Sequence, residues 1–323
     1  MSKIRVVVTD YTFPDLERER WAAESAGAIF EAYQCKSANE VIEVVRGASV
    51  VVAQFAPVTE AAITGLAENA ALIRYGIGYD NIDVASAQKH GFPVGYVPDY
   101  CPDEVADHTS AAVLALLRKL TALDASVRRG EWAGVQVARP VKPFTETLIG
   151  FFGFGQIGRS VHTRLKDFGF QFAVSDPLIS ESDARDLGLT KLSAEELFKQ
   201  ADAISLHAPA NETTTHFVNA ERLASMKQES FLVNSARGAL IDEAALAEAL
   251  AEGQIAGAAL DVFEQEPLPE KSPLRDAPNT LMTPHAAWYS DAAIGRLQQL
   301  VADDISNHLS GKSLRKPVPG SVA

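Results

Sequence analysis

The 323-residue chain is poor in the features that mark several protein classes. It has two cysteines, Cys35 and Cys101, far apart and without metal-ligand spacing. That excludes a disulfide-stapled fold and a cysteine-based metal site, and it suits a reducing cytoplasm. No stretch reaches the roughly 18 consecutive apolar residues of a transmembrane span; the longest aliphatic run, Ala111 to Leu117, sits between His108 and Arg118. The N-terminus Met1-Ser2-Lys3-Ile4-Arg5-Val6-Val7-Val8 lacks the apolar core of a secretory signal. Basic residues are outnumbered, 29 Lys plus Arg against 42 Asp plus Glu, for a net charge of −13. Such a balance argues against a nucleic-acid surface and against adhesion to anionic membrane. It leaves open a local basic pocket for a small anion.

What is present is ordinary soluble composition, 47% hydrophobic and 22% charged, in a chain long enough for two domains. Short β-branched runs alternate with amphipathic segments. Ile4–Thr9, Val50–Ala53 and Leu72–Tyr75 read as strands, and 15–26 as a helix. Ser37-Ala38-Asn39-Glu40 reads as a capping box. One long helix is expected from Asp103 to Arg129, ended by Gly130, then an irregular stretch to Pro143. The alternation restarts with strands at Thr147–Phe152, Phe172–Ser175, Ala203–Leu206, Phe231–Asn234 and Ala256–Leu260. Asp242 caps a further helix, and a last helix spans Ser290–Leu309 before a polar tail. Strand–helix alternation of this kind predicts parallel sheets covered by helices.

Gly153-Phe154-Gly155-Gln156-Ile157-Gly158 is a G-x-G-x-x-G with an apolar strand leading in and a helix leading out. Gly153 allows the tight turn, Gly155 the approach of a pyrophosphate, and Gly158 close helix–strand packing; the helix N-terminus offers free N–H groups to phosphate. Asp176 follows Gly158 by eighteen residues and ends the next strand, with Pro177 after it. A carboxylate there accepts from a ribose diol and repels a 2′-phosphate, so NAD is expected over NADP. His207, Ala208 and Pro209 end a later strand and are expected to line the same site.

Three further segments follow strands of this second half: Asn234-Ser235-Ala236-Arg237-Gly238, Asp261-Val262-Phe263-Glu264-Gln265-Glu266-Pro267 and Thr283-Pro284-His285. Reduction of a 2-keto acid needs a cation on the carboxylate and ketone, an acid for the developing alkoxide, and a partner that orients the acid. Arg237 has the fork geometry for the first, histidine as a class titrates near neutrality and suits the second at His285, and Glu266 suits the third. Singly, each has an ordinary explanation, as solvated cation, turn residue and loop histidine. The other histidines are assigned no function.

Together these motifs resemble the D-isomer-specific 2-hydroxyacid dehydrogenases over nearly the whole chain. The resemblance implies that Arg237, Glu266 and His285 are catalytic. It implies that Tyr75-Gly76-Ile77-Gly78 hold the substrate carboxylate through backbone N–H groups, and that Asp261 contacts the nicotinamide carboxamide. Thr109, Gln156, Ile157, Ser235 and Ala236 are counted with the cofactor contacts. Formate dehydrogenases of the superfamily carry Gln in place of Glu266, which argues against formate. Arg74 to Asp83, Asp176-Pro177 and His285 to Ser290 are most similar to the C-terminal-binding-protein branch, where Arg74 and Trp288 would touch substrate; Ile77 departs from the serine usual there.

The implied fold is two Rossmann-like, doubly wound parallel-sheet domains with a cleft between them. Residues 1–100 plus 291–323 form a flavodoxin-like substrate domain, and 101–290 an NAD-binding domain. The implied protein is a cytoplasmic homodimer with no metal, nucleic-acid or membrane partner, interconverting a 2-keto and a D-2-hydroxy acid. The stretch around Trp132 is a candidate dimer arm. The alternative is an NADH-sensing, corepressor-like binding protein with weak activity.

Overall fold

The computed structural model describes residues 4–322. The chain divides into two compact units, one running to Cys101 and resuming at Ser290, the other Pro102–Tyr289. Each holds one fully parallel sheet. No helix among the described residues is long and apolar enough to cross a membrane.

The first unit contains β1 (Arg5–Val8), β2 (Ile29–Ala32), β3 (Val50–Ala53), β4 (Ala71–Arg74) and β5 (Val94–Gly95), in the order β2-β1-β3-β4-β5. This is the flavodoxin-like order, with its reversal between β1 and β3. The three inner strands are apolar on both faces because helices cover both. The helix Asp291–Leu309 belongs here: it packs on Glu17–Ser25, Arg18 Nη1 donates to Gly295 O at 2.6 Å, and Gln298 Nε2 donates to Asp15 O at 2.8 Å. The polar tail is not loose. Tyr96 N donates to Lys316 O, Val318 N to Val94 O, and Pro317 bridges Gly95 antiparallel, so the tail runs along the edge of β5.

The second unit contains β6 (Leu148–Phe152), β7 (Gln171–Ser175), β8 (Leu189–Lys191), β9 (Ala203–Leu206), β10 (Phe231–Asn234), β11 (Gly257–Leu260) and β12 (Thr280–Met282). Their order is β12-β11-β10-β9-β6-β7-β8, so the chain reverses direction across the sheet at β6/β9. Two cores flank this sheet. One gathers Leu197, Phe198, Ile204, Leu206 and Leu232; the other gathers Ile149, Phe151, Val161, Leu165, Phe172 and Val233. Truncating a side chain as buried as Phe151 to alanine costs about 3–5 kcal/mol.

The long helix expected over 103–129 is two helices, Pro102–Leu117 and Leu120–Arg128. Lys119 between them takes φ +52°, and its Nζ lies 5.7 Å from the centre of the Phe231 ring. No glycine or proline marks the break. Pro102 stands at the first helical position, where its missing N–H has no intrahelical role. The box expected at Ser37 forms in altered register: Ser37 Oγ accepts from Glu40 N, but Glu40 Oε2 reaches back to Lys36 N.

Candidate active site

The glycine loop leaves β6 at the reversal point of its sheet. Gly153 has φ +86°, and a Cβ there would stand 2.6 Å from Ala208 N, so the position admits only glycine. Gly155 is exposed, and a Cβ on it would meet nothing within 4 Å: that space is open for a ligand. Gly155 is also the N-cap of the helix Gln156–Leu165 and supplies no side-chain cap, which leaves the first-turn N–H groups for an anion. The half-buried Ile157 lines this turn and packs into the core beneath it. These features fit a dinucleotide pyrophosphate.

Asp176 directly follows β7 and already has two bonds. Its Oδ2 accepts from Phe154 N at 2.6 Å and its Oδ1 from Leu178 N at 2.7 Å. It therefore shapes the glycine loop as well as standing where a ribose would bind. His207 follows β9, with Nε2 2.8 Å from Ser205 Oγ; burial pushes its pKa down to about 4, so it is neutral. Its ring and the Ala208 backbone floor the loop, while Pro209 is exposed. Thr109 is 0% exposed, and its hydroxyl donates to Val105 O and meets Ser235 Oγ at 2.5 Å. Thr109 is thus buried beneath half-buried Ser235.

At the carboxyl ends of β10, β11 and β12 the structure brings Arg237, Glu266 and His285 together. Asn234 organises the first: its Nδ2 donates to Arg237 O and its Oδ1 accepts from Ala236 N, a local turn that presents the arginine. Gly238 lies so close to the next loop that a Cβ would stand 1.9 Å from Phe263 C. Glu266 Oε1 accepts from Phe263 N at 2.9 Å, and its Oε2 lies 2.6 Å from His285 Nδ1. Burial alone would raise the Glu266 carboxyl; the His285 hydrogen bond and charge, the Phe263 N–H and the Arg237 charge outweigh it and hold the group below its ordinary value. Glu266 is thus held as a carboxylate against the imidazole.

Asp261 carries more than was expected of it. It is 3% exposed; Oδ1 accepts from Thr283 Oγ1 at 2.5 Å and Ala286 N at 2.8 Å, and Oδ2 from Ala287 N at 2.9 Å. These bonds make it the organiser of the His285 loop. Trp288 stacks edge-on against Tyr289 at 6.0 Å. Two neighbours carry no sequence signal. His108 reaches Thr283 from the helix Pro102–Leu117. Glu243 accepts from Glu264 N; burial, with the charges of Glu264 and Glu266, raises its carboxyl.

In the first unit, the loop after β4 is only partly available. Tyr75 N donates to Ala53 O and Gly76 N to Arg74 O, whereas the N–H groups of Ile77 and Gly78 make no bond among the described residues. The Tyr75 ring, 1% exposed, turns inward, where its hydroxyl donates to Glu19 Oε1. Of the four expected residues, Ile77 and Gly78 are therefore the two whose N–H groups are not already used within the described residues. Gly76 has φ +136°, and the Arg74 guanidinium folds back over it and beside Phe55.

Residues 110–287 match the model of the D-isomer specific 2-hydroxyacid dehydrogenase NAD-binding domain. The chain belongs to that family. It is similar to a glyoxylate reductase of Korarchaeum cryptofilum, 38% identical over 72% of this chain and 70% of that protein. It is 36% identical to a D-3-phosphoglycerate dehydrogenase of Methanocaldococcus jannaschii over 96% of this chain, but spans 58% of that protein's length. A crystal structure of a D-lactate dehydrogenase from Aquifex aeolicus, complexed with NAD and lactic acid, superposes with a TM-score of 0.86 at 25% identity, covering 95% of this chain and 96% of that one. As a member of the family the chain is an NAD-dependent dehydrogenase, and its second unit is the NAD-binding domain.

Proposed function

We propose that this dehydrogenase interconverts a 2-keto acid and a D-2-hydroxy acid, with His285 as the proton donor. The observation that carries the reading is the 2.6 Å contact of His285 Nδ1 with Glu266, a carboxylate held ionised, on the carboxyl edge of the sheet that carries the glycine loop. When bound, NAD(H) supplies or accepts the hydride. Gly155, Gln156 and Ile157 at the helix N-terminus hold its pyrophosphate, Asp176 its ribose, and Ser235 and Ala236 line the nicotinamide side. The protein's own part is acid–base. With Nδ1 committed to Glu266, the proton passes from His285 Nε2 to the ketone oxygen in reduction and returns in oxidation. Arg237 binds the carboxylate and polarises the ketone.

In the first unit, Ile77 and Gly78 N–H groups and Arg74 are suited to a carboxylate. Asp176 favours NADH over NADPH, Trp288 favours an apolar side chain on the substrate, and Glu266 disfavours formate. The chain pairs as a homodimer through residues 120–138, where Leu120, Val127 and Val135 are exposed and Trp132 is 94% exposed. Both cysteines are free and buried, in keeping with a cytoplasmic setting.

The test is NADH oxidation with pyruvate, glyoxylate, hydroxypyruvate, phenylpyruvate and 4-methylthio-2-oxobutyrate. Turnover on one or more supports the reading. Tight NADH binding with no turnover on any overturns it in favour of an NADH-sensing binding protein.

A further inference from the structure

His285 sits at φ +51°, a left-handed conformation that non-glycine residues rarely adopt. Something must hold it there. Its N–H donates to Asp261 O at 2.7 Å, and the next two N–H groups donate to the Asp261 carboxylate. Asp261 in turn is bonded by the Thr283 hydroxyl at 2.5 Å. A threonine hydroxyl has one proton, and here it points to Asp261. The Thr283 oxygen can therefore only accept from its other neighbour, His108 Nε2, at 3.1 Å. That sets the proton on His108 Nε2.

His108 belongs to the helix Pro102–Leu117, which otherwise contributes packing to the sheet. His108, Thr109, Asn234, Ser235, Asp261 and Thr283 all line one small pocket. We infer that His108 is a positioning residue: through Thr283 it orients Asp261, and Asp261 clamps the loop that presents the proton donor. The inference rests on His285 being that donor. The order of bonds, donor first, is His108 Nε2–H to Thr283 Oγ1, Thr283 Oγ1–H to Asp261 Oδ1, and the N–H groups of His285, Ala286 and Ala287 to the Asp261 carbonyl and carboxylate oxygens.

Four variants test it. Thr283→Val keeps shape and loses the hydroxyl; His108→Phe keeps a flat ring and loses the donor. Thr283→Ser and His108→Gln restore a hydroxyl and a donor near the Nε2 position. Amide hydrogen exchange of the segment 284–289 in the cofactor-free protein should rise about tenfold in the first two and stay near wild type in the second two, as expected for loss of one hydrogen bond of about 1.4 kcal/mol. In steady-state reduction, kcat should fall about tenfold for the first two with NADH affinity, followed by its fluorescence, within twofold, and recover in the second two. Unchanged exchange and kcat in both Thr283→Val and His108→Phe would overturn the inference. So would equal loss in the conservative pair, which signals packing alone. His285→Gln separates the two readings. If it retains the wild-type rate, the proton-donor assignment fails whatever the exchange shows; if it is inactive while Thr283→Val is unaltered, only the positioning role fails.

Discussion

The Tyr75 hydroxyl donates to Glu19 Oε1 at 3.0 Å inside the first unit, both side chains almost wholly removed from water. Burial is the main cause that lifts the Glu19 carboxyl from 4.5 to about 7; the Tyr75 hydrogen bond opposes it, and nearby Asp15 adds to it. Between those values the folded protein holds a proton that the unfolded chain has released. Stability contributed by that proton is complete below the lower value and lost as pH rises through the upper one, about 3 kcal/mol in all. Asp304, raised by burial to about 6, acts with the same sign. Glu19→Gln should therefore flatten the fall in melting temperature between pH 5 and 8 and leave the variant the more stable of the two at pH 8. A steeper fall, or none in wild type, would contradict the assignment.

The His285–Glu266 contact gives a kinetic prediction. General acid catalysis contributes roughly 10²–10⁴-fold. His285→Gln should lose reduction by that factor with NADH affinity unchanged. Glu266→Gln should lose less, because an amide oxygen can still accept from Nδ1 but carries no charge. Stopped-flow kinetics of both variants check this. A wild-type rate in Glu266→Gln would show that the carboxylate does not support the acid.

Two glycines should respond oppositely to the same added methyl. At Gly155 the methyl enters open space, so Gly155→Ala should unfold within about 0.5 kcal/mol of wild type and bind NADH about tenfold more weakly. At Gly238 it meets the Phe263 backbone. Gly238→Ala should cost about 1–3 kcal/mol and raise the KM for the keto acid more than that for NADH, since Arg237 adjoins it. Urea titration and two-substrate kinetics read both effects.

Asp176 is expected to set cofactor choice. Asp176→Asn keeps an oxygen for the Phe154 N–H but removes the charge that repels a 2′-phosphate. The NADH-over-NADPH ratio of kcat/KM should narrow at least about tenfold. An unchanged ratio would mean that the residue acts only on the glycine loop.

The pattern of what could be read from the chain follows burial. β3, β9 and β10 occur over the expected residues, and β1, β4, β6, β7 and β11 within one residue of them at each end. Four strands carried no signal: β2, β5, β8 and β12. All four are sheet edges. Inner parallel strands are covered on both faces and must be continuous apolar runs. Edge strands such as Leu189–Lys191 are short and part-exposed, and nothing forces a pattern on them. The break at Lys119 was invisible for a related reason: it is stabilised by contacts outside its own helix.

Local chemistry was therefore written in the chain itself. The alternation of elements, the glycine loop with its open Gly155, the caps at Ser37 and Asp242, and the Arg237, Glu266 and His285 segments depend on residues within a few positions of one another. Tertiary structure alone decided the rest. It turned Tyr75 inward onto a glutamate 56 residues away. It bonded Asp261 to the N–H groups of His285, Ala286 and Ala287, beyond the next strand. And it joined His108 to Thr283 across 175 residues of sequence. Hydrogen bonds over such separations exist only once packing has brought the partners together, and no spacing rule can foretell them.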